Sequence, residues 1–469
     1  MCACIPIRTR HLIAQCGCEN RYPLFLDLGP VHLGVMKALY ANDRPGQFPK
    51  SWYAATATPA PERPALFGER RADVCVIGAG YTGLIAALEL RAKGFDVVVV
   101  EAHRAGWGAS GRNGGQVETG FSKGQLWLEA RVGKTAARAL WDLTEEAKDA
   151  LRALVATHAP EARYRDGVAQ GAINRADQLD IAAEVANLRD TYGYDQIETV
   201  PPEEFRQIVG TDQYQGGSLD KGAGHIHPLR YVLGLARAAE AAGVTIYERS
   251  EVHEVVQGQP AIVRTGQGRV RADHVIVAGN GYLPNLFRPV SARVMPVNSF
   301  IGATKPLGDL AQTVLSQDIA VFDAKQVVNY FRLSEDGRLL FGGRANYSIK
   351  FPKDVSTLML ARVAEMFPQI ADTKFDYVWG GTLGVTANRL PNFQRLGPNI
   401  LWTGGYSGQG VAMTAIAGRL LAEATAGTAE RFDVMAALPS LPIPGGTAFR
   451  APLLALGMTW ANLRDRLGI

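Results

Sequence analysis

Glycines at 78, 80 and 83 stand in the order Gly-Ala-Gly-Tyr-Thr-Gly, and a carboxylate, Glu101, follows them. A glycine turn that opens a helix aims unpaired N–H groups and the positive end of the helix dipole at one point, which suits an anion. Gly78 permits the tight turn, Gly80 lets the backbone approach a pyrophosphate, and Gly83 lets the new helix pack closely on the preceding strand. Ala79, Tyr81 and Thr82 complete the same turn. Glu101 comes about twenty residues on, where a carboxylate takes a ribose hydroxyl and favours an unphosphorylated ribose.

These residues need a strand, a helix and a second strand to hold them. Residues 74–77 (VCVI) read as a buried strand, the Ala/Leu-rich run after Gly83 has helical periodicity, Gly94 ends it, and residues 96–100 (DVVVV) form the second strand. The unit reads as a dinucleotide-binding fold; the alternative is an ordinary βαβ unit that happens to carry glycines. Directly after it runs AHRAGWGASGRNGGQ, residues 102–116. Its glycines let it wrap a polar ligand, with Ala102, Arg104, Ser110, Gly111, Arg112, Asn113, Gly114 and Gly115 as candidate contacts. Ser110 and Arg112 suit phosphate or ribitol oxygens. A flexible surface loop is the other reading.

Two later segments repeat the pattern. In residues 272–281 (ADHVIVAGNG) a strand brings Ala278 and Gly279 toward the first glycine turn. Residues 245–256 (TIYERSEVHEVV) read as strands that place the backbone of Val252 at an adenine edge. Residues 399–424 (NILWTGGYSGQGVAMTAIAGRLLAEA) again run strand, glycine turn, helix, with Gly405, Tyr406, Ser407, Gly408, Gln409, Gly410 and Val411 around the turn. The helix beginning there favours negative charge at a cofactor's reactive end; an ordinary βα turn is the alternative.

The whole chain sets the limits. Its 469 residues suffice for two or more domains, and a net charge of +4 without a basic, aromatic-laced run gives no footprint for nucleic acid. No apolar run approaches bilayer length. Of five cysteines, Cys2, Cys4, Cys16 and Cys18 lie near the start and Cys75 on the first strand. That distribution is no disulfide framework and suits a reducing, cytoplasmic setting. The CxC pairs could take a soft metal ion, but their short spacing is not the usual zinc pattern, and no metal site is expected. Residues 1–35 show neither periodicity nor a targeting pattern and read as a disordered tail or an over-extended start, with Met36 as an ordinary beginning. Residues 36–70 form an arm whose PAPERP run (59–64) approaches the first strand. Trp52 and Tyr53 either pin this arm or edge a substrate entrance.

Residues 126–191 read as helical scaffold, and residues 284–381 turn β-rich, with Gly337 in a hairpin and strands at 321–322, 327–333 and 339–343. This β-rich part presents Tyr330, Arg332 and Trp379 as an aromatic pocket with one cation, or Arg332 is a solvated strand residue. In GHIHPL, His225 or His227 faces a substrate or is structural. Tyr406 and Gln409 are further substrate-facing candidates. The stretch 449–467 is amphipathic and docks on its own domain or lies on a membrane surface.

Together SWYAATA, ADVCVIGAGYTGLIAALEL, GASGRNGGQ, GHIHPL, YFRLSEDGRLLFGGR, WGGTLGVTANRLPNF and GGYSGQGVAMT resemble the D-amino acid oxidase-like family of FAD-dependent oxidoreductases, and within it the bacterial gamma-glutamylputrescine oxidase group. The resemblance implies a two-domain fold of α/β plus α+β class. A Rossmann-type FAD domain is assembled from residues 71–120, 215–283 and 380–430, with a β-rich substrate domain from 121–214 and 284–379 and a C-terminal extension, 431–469. It implies a small-molecule amine as substrate and dioxygen as acceptor. Hydride passes from the amine-bearing carbon to the flavin, the imine hydrolyses, and reoxidation in air gives hydrogen peroxide. The family often lacks an obligatory acid–base pair, so positioning does much of the catalysis. Relatives that attach flavin covalently use a late cysteine or a histidine in the stretch matching GASGRNGG; neither is present, which implies non-covalent FAD. Many relatives carry His where Gln409 stands, and Lys305 is a candidate for the lysine some use toward dioxygen. The implied substrate is gamma-glutamylputrescine or a related polyamine derivative. The alternatives are an N-methylated or secondary amino acid oxidised by an oxidase or dehydrogenase of the sarcosine or glycine oxidase type, and a flavin-binding subunit without catalysis.

Overall fold

Two sheets carry the chain in the computed structural model, which describes residues 39–443 apart from 284–285, 326–327, 347 and 349, with only the backbone at 344–346. The N-terminal extension with Cys2, Cys4, Cys16 and Cys18, and the amphipathic C-terminal stretch, lie outside the described residues. With strands numbered along the chain, the first sheet has eight strands. It runs β16 (Asn392–Gly397), β17 (Ile400–Gly404), β10 (Gly268–Val277), β1 (Gly68–Ile77), β2 (Val97–Val100), β7 (Thr245–Tyr247). The β8 (Val252–Val256) and β9 (Ala261–Thr265) pair attaches antiparallel at β10. From β17 to β7 all neighbours are parallel.

Alternation along the central strands shows why they are so apolar. Val74, Val76, Val97 and Val99 face one buried cluster, while Cys75, Ile77, Val98 and Val100 face another. A parallel strand covered on both sides has no face left for polar residues. The first cluster is closed by the Tyr81–Ala92, Lys134–His158, Pro228–Ala241 and Gly410–Thr425 helices. Register then aligns the strand ends: Ile77 is level with Val100 on one side and Val277 on the other, and Val277 with Trp402. The turns that follow these residues therefore emerge side by side at the carboxyl edge, where ligands of open α/β sheets bind.

The second sheet has nine strands. Its order is β15 (Phe375–Thr386), β11 (Val294–Thr304), β14 (Leu339–Asn346), β13 (Tyr330–Leu333), β12 (Ala320–Asp323), β4 (Arg165–Gly171), β6 (Gly217–His225), β3 (Gln116–Val117), with β5 (Ile197–Val200) beside β6. The sheet is antiparallel except where β12 meets β4 in parallel. β4 interrupts the expected helical run because RDGVAQG offers little apolar periodicity of its own and is held by its neighbours.

The expected boundaries differ from these layers in two places. β3, β6 and the end of β15 belong to the second sheet, although the order of motifs places their residues in the cofactor half. Conversely, the Lys134–His158 helix packs Leu140, Leu143, Ala147, Leu151 and Val155 into the cluster of the first sheet. Ile301, Leu340 and Trp379 of the second sheet join that same cluster, so one continuous core runs through the seam. The result is the two-part α/β architecture expected from the sequence, with a shared interior.

Candidate functional site

At the carboxyl edge Gly78 has φ +107° and its Cα faces the Ala278 carbonyl, where a Cβ would lie 2.9 Å from the oxygen. The turn after β10 thus closes on the turn after β1, and Ala278 N–H donates to Ile77 O at 2.8 Å. A Cβ at Gly83 would lie 2.0 Å from Gly78 O, so the helix start can sit this close only without a side chain. The bare position of Gly80 meets Ser110, whose Oγ would be 2.8 Å from a Cβ there and accepts the Tyr81 N–H at 3.0 Å. Ser110 is therefore part of the cradle wall, with its hydroxyl hydrogen still to give. Among the described residues the Gly80 N–H has no hydrogen-bond partner, and the first N–H groups of the Tyr81–Ala92 helix have none within the helix.

Glu101 accepts from Ala79 N–H at 2.8 Å and His103 N–H at 2.9 Å. Burial raises its pKa, and these two amides oppose the rise. Each oxygen retains a further lone pair for a ribose hydroxyl. In the loop behind it, Asn113 Nδ2 donates to Ala109 O at 2.9 Å and Ser110 O at 3.1 Å, and its Oδ1 accepts the Gly115 N–H. Arg112 donates to Trp107 O at 2.6 Å, Asp43 at 2.7 Å and Gly380 O at 3.1 Å, and stacks 4.2 Å over Trp107. Its Nη2 is buried with no partner. A glycine cradle, open amides at a helix start and an orphaned guanidinium nitrogen fit the phosphates of FAD. The other loop candidates are committed inward: Arg104 bonds to Ala60 O and pairs with buried Glu248 at 2.7 Å, while Ala102 and Gly111 shape the chain.

The second glycine turn, after β17, sits against the first. Tyr406 Oη and Thr82 Oγ1 are 2.8 Å apart, so Tyr406 points between the turns rather than into a substrate cavity. Gly405 N–H donates to Asn280 Oδ1 at 2.9 Å, tying in the turn after β10, and Ser407, at φ +56°, bonds to Gly405 O and the Thr386 N–H. Gly408, Gln409 and Gly410 lead into the Gly410–Thr425 helix, with Val411 buried in its first turn. Gln409 donates through Nε2 to Glu118 Oε2. Burial pushes the Glu118 carboxyl up to about 7, and the Gln409 bond holds it back. Sequence reasoning missed Glu118, which stands in no motif, and passed over Asn280, which lies within AGNG but whose role shows only where the sheets bring the turns together.

A small pocket at the seam is lined by Tyr53, Gly114, Gln116, Tyr330, Phe331 and Arg332, among others. Tyr53 belongs to the Trp52–Thr56 helix of the arm, is fully buried, and meets Trp379 edge-on at 5.1 Å. Trp379 donates to Arg112 O at 3.0 Å and lies in the core. Tyr330 Oη reaches Ser299 Oγ at 3.1 Å. Arg332 is neither solvated nor paired with an acid: it donates to Gly114 O at 2.9 Å, Ile226 O at 3.1 Å and Tyr53 Oη at 3.3 Å. It knits the glycine loop to β13.

The remaining candidates do not line this pocket, although His227 meets Tyr53 edge-on at 4.9 Å and His225 is registered on Gln116. His225 is buried and bonds to Asp318; its pKa is lowered by burial. His227 caps the Pro228–Ala241 helix, accepting the Arg230 N–H at 3.2 Å, and meets Thr56 at 3.0 Å, which makes it structural. Lys305 is exposed beyond β11. Val252 starts β8, opposite Thr265. Among the described residues no group of acidic, His or Cys side chains could hold a metal ion, and no helix is long and apolar enough to cross a membrane.

Known proteins share this arrangement. A family described as FAD dependent oxidoreductase matches residues 73–424. Gamma-glutamylputrescine oxidoreductase of Escherichia coli is 41% identical over 421 residues, covering 89% of this chain and 99% of that protein. A probable oxidoreductase, OrdL, of Rhizobium meliloti is 38% identical over 89% of this chain and 97% of its own. Among solved structures, glycine oxidase from Bacillus cereus superposes with a TM-score of 0.65 at 18% identity, covering 79% of this chain and 99% of its own, a likeness of fold. With the glycine turns, helix starts and strand order that carry these matches, the chain belongs to the DAO family of FAD-dependent oxidoreductases, and its cofactor is FAD.

Proposed function

We propose that this protein oxidises a terminal amine of a polyamine derivative, with gamma-glutamylputrescine as the leading substrate and dioxygen as the electron acceptor. The observation that carries this reading is the 41% identity to the Escherichia coli gamma-glutamylputrescine oxidoreductase along nearly all of that protein. FAD, when bound, supplies the hydride acceptor. The residues of this chain then have separable jobs. The Gly78–Gly83 turn and the start of the Tyr81–Ala92 helix hold the pyrophosphate through backbone N–H groups. Glu101 takes a ribose hydroxyl, and the 102–116 loop, with the free Nη2 of Arg112, takes oxygens between the ribose and the ring. The start of the Gly410–Thr425 helix favours negative charge at the reactive end. Tyr330 and Gln116, both half-buried at the seam, are the side chains offered to the amine. Attachment of the flavin is non-covalent: Cys75, the one free cysteine among the described residues, is buried in β1.

The test is anaerobic mixing of the yellow holoprotein with an amine panel, followed by air. Gamma-glutamylputrescine is expected to bleach the flavin rapidly, air to restore it with release of peroxide, and acid to release the flavin into solution. Bleaching by N-methylated or secondary amino acids alone would overturn the substrate assignment, and no recovery in air would overturn the acceptor.

A further inference from the structure

Glu118, directly after β3, is a carboxylate that meets the second glycine turn and has no counter-charge among the described residues. Its Oε2 accepts from Gln409, the residue that caps the Gly410–Thr425 helix. Among the described residues its Oε1 has no hydrogen bond, and no Lys, Arg or His forms an ion pair with it. The residue is half-buried. The position is also rigid. Val117 before it is registered on Gly224 in β6. Thr119 after it donates to Asp220 at 2.5 Å and accepts from Lys148 at 2.7 Å, and Lys148 is itself paired with Glu145 at 2.9 Å. Gln116, two residues earlier, lines the pocket beside Tyr330 and Arg332. A half-buried carboxylate two residues from Gln116, with no ion-pair partner among the described residues, suits a cationic donor.

We propose that Glu118 receives the ammonium group of the docking substrate, accepts the proton that must leave its nitrogen before hydride can leave the carbon, and bars a carboxylate from the reacting carbon, so that the enzyme takes terminal aminoalkyl substrates and refuses α-amino acids. This rests on the reading above that the substrate is an amine. It goes further by assigning the residue that separates amines from amino acids: a like charge placed against Glu118 is repelled, and an ammonium fills its free oxygen. Arg332 keeps its charge but forms no ion pair with Glu118; its N–H groups go to backbone carbonyls and Tyr53.

The experiment compares holoprotein with Glu118→Gln, which keeps an oxygen for Gln409. The flavin spectrum is titrated with tert-butylamine, a cation with no hydrogen to lose from its amine-bearing carbon. Its dissociation constant should rise about tenfold or more in the variant, at equal flavin content. In steady-state turnover, the ratio of kcat/KM for an aminoalkyl substrate to that for N-methylglycine should fall by about the same factor. Should Glu118→Gln lose flavin, Glu118→Asp, which keeps the charge but draws it back, serves for the same titration. Equal tert-butylamine affinity in wild type and variant would overturn the proposal, as would wild-type flavin bleached as readily by N-methylglycine as by aminoalkyl amines. If another aminoalkyl amine replaces gamma-glutamylputrescine as the substrate, the substrate reading fails while the titration still decides the role of Glu118.

Discussion

Glu118 holds its charge only above about pH 7, because burial raises its pKa and the Gln409 bond only partly restores it. Raised means protonated on the acid side, so a cation that depends on it binds well at about pH 8 and loosens as pH falls through 7 toward about pH 6. The groups behind it, Lys148, Glu145 and Asp220, are joined to one another through Thr119 and Tyr194. Titrating tert-butylamine across that range checks the point: affinity should rise with pH in the wild type and stay flat in Glu118→Gln. Lys148 itself is 1% exposed, and its pKa is lowered by burial despite Glu145 and Asp220. Replacing it by Met strands buried acceptors and should cost about 3 kcal/mol, read as a lower urea midpoint. None of this was legible in the sequence. VETGF has no spacing that marks Glu118, and Lys148 stands among the charges of an amphipathic helix; only the meeting of β3, β6 and the helices buries them.

The glycine turns, by contrast, were legible, since a missing side chain is a signal that needs no knowledge of the partner. Gly83 shows how strict that signal is. With a Cβ due 2.0 Å from Gly78 O, Gly83→Ala must push the Tyr81–Ala92 helix off β1. The expected loss is about 3 kcal/mol together with colourless protein, checked by melting temperature and visible absorbance. Arg332 was harder to read, because an arginine on a strand looks the same whether it meets solvent, substrate or carbonyls. The structure gives it Gly114 O and Ile226 O, so it fastens the 102–116 loop to β13. Arg332→Lys keeps the charge but not the fork and should lose about 2 kcal/mol and part of the flavin, measured by thermal shift and the ratio of flavin to protein absorbance. β4 escaped notice for a related reason: its seven residues, RDGVAQG, owe their extended form to β6 and β12, not to their own composition.

At the scale of the whole molecule, the two sheets and the family were foreseen from the order of motifs, while the assignment of segments to each half was not. Strand pairing joins residues far apart in sequence, and no local pattern says that β3 and β6 leave the cofactor half to edge the second sheet. The 2.8 Å bond between Thr82 and Tyr406 has a further consequence. The first glycine turn leaves the ribosome early, but its partner turn, the β17 strand and the helix that closes the central core come from the last part of the described chain. During synthesis the part of the Tyr81–Ala92 helix that packs on the Gly410–Thr425 helix stays uncovered, open to chaperones and to unwanted association, until residues 400–425 arrive. Acquisition of the coenzyme is thus a late event in the life of the nascent polypeptide, and a chain cut short before that point is expected to emerge sticky and colourless.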